Sequence, residues 1–192
     1  MKRLMSPVLL ITLLAGSTLV SLGQESQVAP SSGPRAALLR QLDDAATKLA
    51  SLAEATPQEK YSWRPGEGVR STSEVFMHVA GGNYLIAQAV GAKAPAGLNR
   101  EMEKISDKAK VIETLKHSFD HVRQALLTTA DADLGKETKL FGRPTTVGAV
   151  FLALVTHGHE HLGQSIAYAR MNNITPPWTA ARQAPQPAPA NP

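Results

Sequence analysis

Apolar residues recur at helical spacing in four stretches of the chain. The first runs from Pro34 to Ala55, with Leu38, Leu39, Leu42, Ala46, Leu49 and Leu52 along one stripe. The second opens at Ser71. There Ser71 and Glu74 have the spacing at which a hydroxyl and a carboxylate each satisfy an orphan N–H of a helix start, and the pattern continues to Val90. The third spans Ser106 to Thr129, with Ile112, Leu115, Phe119, Val122 and Leu126 on one side. The fourth begins after Pro144, with Thr145 or Thr146 as its cap, and ends near Asn172. No stretch carries a strand signal. The pattern therefore predicts an all-α domain, a four-helix bundle. The connection GAKAPAGLNREMEK between helices 2 and 3 is longer than a tight hairpin needs, and it suits a crossover rather than an up-down-up-down order.

The ends of the chain read differently. Lys2 and Arg3 precede an apolar run from Val8 to Leu22, and Ser21 and Gly23 are the small residues a signal cleavage after Gly23 would require. The expected organisation is a signal peptide over 1–23, a polar flexible lead over 24–33, the bundle over 34–178, and a disordered Pro/Ala-rich tail over 179–192. The protein is expected to be exported, periplasmic or extracellular, with no stable membrane span once the signal is removed.

Composition narrows the chemistry. With 192 residues, 43% of them hydrophobic, the chain can build one core of ordinary size. The absence of cysteine excludes disulfides, a lipid-anchored cysteine, thiol catalysis and thiolate metal ligands. The net charge of +4 overstates the mature chain. Lys2 and Arg3 leave with the signal, so 18 basic residues face 16 acidic ones. No basic cluster lies on one face, and nucleic acid is not an expected partner.

Six histidines remain, and the helical wheel sorts them. His157 and His161 are four apart, so they lie about 40° from one another and one turn along the axis. Both fall on or beside the stripe of Val150, Leu154 and Leu162. His159, about 200° from His157, points elsewhere. His78 falls among Val75, Gly82 and Leu85 on the second helix. Taken alone it reads as a hydrogen-bonded core histidine. Two adjacent buried imidazoles are different, because leaving them unsatisfied costs a few kcal/mol, and a divalent metal would supply a shared partner. His117 and His121 have the same spacing as the pair on helix 4, but they share a polar face with Glu113, Lys116, Asp120 and Gln124 and read as solvated surface residues. The H-E-x-x-H pattern of zinc proteases is absent, since Gly158 follows His157 and the acid is Glu160.

The segments YSWRPGEGVRSTSEVFMHVA and THGHEHLGQSIAYARMNNITPPW together resemble the DinB-like family, also called the DinB/YfiT-like metalloenzymes. The N-terminal segment is similar to that family's Trp-x-Pro, Arg-Ser and histidine-bearing helix. The C-terminal segment is similar to its closing His-x-x-x-His-x-x-Gln helix and Pro-Pro-Trp end. The resemblance covers Leu38 to Trp178 and implies a four-helix bundle with one metal held by His78, His157 and His161. Many members carry a histidine just before the last ligand, where this chain has Glu160. Some relatives are transferases or isomerases that use low-molecular-weight thiols, a cosubstrate less available outside the cytoplasm.

The expected protein is thus an exported metal-dependent hydrolase or transferase, with zinc or nickel as the ion and a small molecule as substrate. Three neutral imidazoles keep the metal's charge intact and leave positions open. A non-catalytic, metal-stapled structural or envelope stress module is the alternative. A homodimer is left open. Glu160 is the sole general base the pattern offers. Gln164, one turn past His161, either orients a ligand or water or satisfies backbone, and Trp63 and Trp178 read as packing anchors.

Overall fold

The structure, a computed structural model, describes residues 29–184. The expected signal peptide, the first part of the lead and the end of the tail lie outside these residues. Four long helices form the body: α1 Gly33–Ala55, α2 Thr72–Ala87, α3 Lys108–Thr128 and α4 Val147–Met171. Each begins or ends close to where the hydrophobic pattern placed it. Ser71 caps α2, its side chain accepting from the Glu74 N–H while the Glu74 carboxylate accepts from the Ser71 N–H at 2.6 Å. Asp107 caps α3 and Thr146 caps α4, each side chain accepting from a backbone N–H of the first turn. Such caps matter because the first four N–H groups of a helix have no partner within it.

The stripes meet in one core. Leu39, Leu42 and Leu49 of α1 pack with Phe76 and Val79 of α2, Leu115, Phe119, Val122 and Leu126 of α3, and Val150, Phe151, Leu154 and Leu162 of α4. Full burial of one such side chain contributes about 1.5–3 kcal/mol. Helix α1 packs on α3 and α4, and so does α2, which puts α1 and α2 across the bundle from one another.

Contacts at the helix ends fix the directions. At the start of α1, Arg35 donates to the carbonyls of Leu127 and Thr129 at the end of α3. At the other end, the Lys108 ammonium donates to the carbonyls of Glu54 and Thr56. Helices α1 and α3 are therefore antiparallel. The start of α2 lies beside the end of α1, because the Ser73 N–H donates to the Tyr61 carbonyl and the Tyr61 hydroxyl donates to the Ala53 carbonyl. Helix α2 thus runs in the same direction as α3. Two consecutive helices pointing the same way require the chain to return the length of the bundle between them. The segment from Gln88 to Asp107 does this, carrying a 3₁₀ turn over Arg100–Lys104 that packs on α2. The crossover expected from the length of this connection is present.

Two expectations are corrected. The chain between α3 and α4 forms a hairpin, β1 Glu137–Leu140 paired antiparallel with β2 Arg143–Thr146. Its tip, Phe141 and Gly142, has positive φ at both residues, which gives a two-residue turn the twist that matches the strands. Strands of four residues are too short for a period-two signal, and phenylalanine is an uncommon residue at such a turn. At the C-terminal end, α5 Pro177–Gln183 takes in residues assigned to the tail. It is held there by Trp178, which packs against the core. Among the described residues no helix is long and apolar enough to cross a membrane.

The α2 start generates a stability prediction. The hydrogen bond from the Ser71 N–H holds the Glu74 carboxyl below its ordinary range. Burial works against this, and the Arg64 guanidinium at 3.2 Å adds to it. A depressed folded pKa stabilises the fold above the unfolded pKa, and that stability disappears as pH falls through the folded value. Urea unfolding should therefore show Ser71→Ala about 1 kcal/mol less stable at neutral pH. Glu74→Gln should lose stability at neutral pH and show a shallower acid dependence than the wild type. Parallel acid profiles for the two proteins would remove this role of Glu74.

Candidate metal centre

Helices α2 and α4 run antiparallel, as shown by the Tyr168 hydroxyl of α4 donating to the Arg70 carbonyl just before α2. Where they pass, three imidazoles meet. One ligating atom each from His78, His157 and His161 lies within 4.8 Å of the others. The rings are edge-on in every pairing, with centroids 5.2 Å apart for His78 and His157, 4.8 Å for His78 and His161, and 4.6 Å for His157 and His161. The Nε2 atoms of His78 and His157 are 3.4 Å apart. The three residues implied by the family resemblance are thus brought together.

The outer nitrogens explain the orientation. His78 Nδ1 lies 3.0 Å from Glu103 Oε1, and His161 Nδ1 lies 2.8 Å from Gln164 Oε1. A carboxylate and an amide oxygen only accept, so both imidazoles donate from Nδ1 and present an Nε2 lone pair to the cluster. Gln164 is fixed in turn by donating to the Tyr168 hydroxyl at 3.0 Å. Gln164 therefore orients His161, the first of its two expected roles in a more specific form. His157 is held by space instead. A Cβ at Gly82 would collide with its Cε1 and come within 3.0 Å of its Nδ1, so only glycine lets the ring lie against α2. His157 Nδ1 is buried and has no partner among the described residues, which leaves the cluster as the place where this ring meets polar atoms.

The electrostatics suit a cation. Burial pushes His157 down to about 4, with His161 and His78 adding to the effect. Burial also lowers His161, and the hydrogen bond to Gln164 opposes it only in part. Both are neutral near pH 7, the form that binds metal. Burial raises Glu103, but hydrogen bonds from His78 and Arg70 outweigh it and keep the carboxyl below its ordinary range. Arg70 closes this chain, with Nε 3.1 Å from Glu103 Oε2. Three imidazoles meeting at one point, two of them with an acceptor behind Nδ1 that turns the Nε2 lone pair inward, can hold a metal ion.

The other expectations divide. His159 donates to the Gln41 carbonyl on α1, away from the cluster. His117 is exposed, as expected. His121 is not simply a surface residue. It is half-buried with an edge-on contact to Tyr84, and its Nε2 is buried without a partner among the described residues. The face of α2 around His78 is also not wholly core, since Val75 is buried but Leu85 is 52% exposed. Glu160 is exposed. The acid at the cluster is Glu103, which the sequence did not single out, because it lies in the crossover and nothing local marks it. Trp63 meets Tyr168 edge-on at 5.3 Å, an aromatic packing contact, and Trp178 packs on the core.

The same architecture is found in solved structures. A DinB-like protein from Bacillus cereus superposes with a TM-score of 0.65 at 18% identity, covering 73% of this chain and 93% of its own. The DinB-like protein YjoA from Bacillus subtilis gives 0.59 at 20% identity, over 72% and 93%. At these identities the likeness is one of fold. No curated protein matches the chain. Residues 41–165 match the DinB superfamily, and the match takes in all three clustered histidines. The chain belongs to the DinB superfamily.

Proposed function

We propose that this protein is an exported metal-dependent hydrolase or transferase that holds one zinc or nickel ion on His78, His157 and His161. The observation that carries the reading is the pair of acceptors behind the cluster. Glu103 and Gln164 commit the Nδ1 protons of His78 and His161, which leaves both Nε2 atoms free for a cation. A carboxylate or amide behind a ligating imidazole is the usual support of a catalytic or structural metal site. With no cysteine in the chain, a closed thiolate site is excluded, and three imidazoles leave room for a water or substrate atom. The bound ion would polarise a carbonyl or lower the pKa of a coordinated water. Glu103 stands behind His78 rather than at the ion's open side; held charged near neutral pH and fixed by Arg70, it keeps the His78 proton on Nδ1 and orients the ring. Export is supported by the basic start and short apolar run of the N-terminus.

Elemental analysis and thermal melts of protein purified with added zinc or nickel test the centre. The wild type should hold about one ion, and chelator should lower its melting temperature. At free metal about 100-fold above the dissociation constant, the ion adds roughly 2.7 kcal/mol to folding. His161→Ala should lose both the ion and the chelator response. Glu103→Gln should weaken metal affinity about 10–100-fold. A wild type that takes up no ion and melts identically with chelator would make the three histidines ordinary core residues.

Two variants separate packing from ligation. Gly82→Ala should displace His157 and reduce metal content although no ligand is changed. His117→Gln with His121→Gln should leave metal content intact. Metal loss in the double variant but not in Gly82→Ala would reverse the assignment of these residues.

Mass spectrometry of the protein from its native host should find a mature N-terminus near Gln24. An intact Met1 in a cytosolic fraction would end the export reading.

A further inference from the structure

Beside the histidine cluster, between α2 and the crossover, lies a cavity of about 650 Å³. Its volume falls in the range that takes a small organic ligand, about 300–1,000 Å³. His78 and Glu103 lie on its wall, so it adjoins the candidate metal centre. Most of the remaining wall is apolar: Met77 and Leu85 from α2, and Leu98 and Met102 from the crossover. Gly81 adds no side chain, and a Cβ there would meet the Met102 methyl at 3.8 Å. Met77 is the buried floor of this wall, and the partly exposed Met102 thioether allows the cavity to adapt to a flexible chain. Leu85 is left 52% exposed along the cavity.

The charges on the wall are unequal. Arg70 is neutralised by Glu103. Arg100 also lines the cavity, and it makes no ion pair among the described residues. Arg100 and Glu103 are three apart in a 3₁₀ turn, where such residues share one side, about 6 Å apart along the axis. Glu103 is turned to His78 and Arg70, which leaves the Arg100 guanidinium as a cation without a counter-charge at the other end of the same wall.

We propose that this cavity binds an organic anion with a flexible apolar body, of the medium-chain carboxylate class. The acid group meets Arg100. The body lies along Leu85, Leu98 and Met102, and its far end lies towards His78. The proposal deepens the metal-centre reading and rests on it for the chemistry at that far end. Binding itself depends on the apolar wall and Arg100.

Calorimetric titration with octanoate, 1-octanol and acetate tests this, on chelator-treated and on zinc-supplemented protein, with zinc content measured in parallel. Octanoate should bind both forms, and octanol and acetate should each bind at least about tenfold more weakly, a difference of about 1.4 kcal/mol. Arg100→Ala should bring octanoate down to the level of octanol, and Leu85→Asp should weaken it further. Both residues are exposed, so circular dichroism should show both variants folded. Absence of octanoate binding, equal binding of octanol, or octanoate binding that needs zinc and ignores Arg100→Ala would each overturn the proposal. If the wild type carries zinc but ignores octanoate, the cavity assignment alone falls. If it binds octanoate but takes no zinc, the ligand class stands and the metal centre falls.

Discussion

The parallel direction of α2 and α3 is the constraint on which the rest of the site depends. A helix of 16 residues is about 24 Å long, so a chain that leaves the end of α2 and must begin α3 beside its start has to travel that distance back. The return path cannot be a tight turn. It is the segment from Gln88 to Asp107, laid along α2. This route delivers Glu103 to the outer nitrogen of His78. It also builds the facing wall of the cavity from Leu98, Arg100 and Met102. In an up-down-up-down bundle with short loops, neither the carboxylate nor the wall would have reason to be there.

A further requirement is that two helices pass closely enough for imidazoles from both to share one point. Gly82 supplies this on α2 by leaving the volume that the His157 ring occupies. Glycine inside a helix costs roughly 0.5–1 kcal/mol relative to alanine, and here that cost yields close approach rather than backbone freedom. The neighbouring interface of α2 is fixed by a different device. Asn83, fully buried, donates to the Ser118 hydroxyl of α3, and Ser118 donates to the Leu115 carbonyl. One side of α2 is thus tied to α3 by a buried polar contact, while the adjacent side faces α4 with the histidines.

The site is also graded from dry to wet. Burial holds the His157 imidazole well below the ordinary histidine range, because its ring lies against α2 and among its neighbours. His78 and Glu103 are on the cavity wall. Such a gradient keeps the imidazoles neutral on the core side and leaves solvent access on the other, the combination that an open metal site needs.

The four helices, the cap at Ser71, the crossover and the set His78, His157 and His161 were all legible in the sequence. The helices, the cap and the crossover follow from local rules: apolar periodicity, the reach of a hydroxyl to its own helix start, and the length of a connection. The histidine pair follows from the geometry of one turn of helix, and His78 from the family resemblance. The remaining features exist only once the helices are packed. Glu103 acts on a residue 25 positions away, and no local pattern announces which acid of a crossover will land on which helix. The half-burial of His121 comes from Tyr84 of a neighbouring helix, which a wheel drawn for α3 alone does not contain. The exposure of Leu85 reflects a gap between α2 and the crossover, whereas amphipathic patterning assumes that every apolar side chain finds a covering surface. The hairpin before α4 was hidden because its pairing energy lies between strands, not within either. What a residue does to its own helix is written in its near neighbours; what it does across the bundle depends on how the helices are arranged.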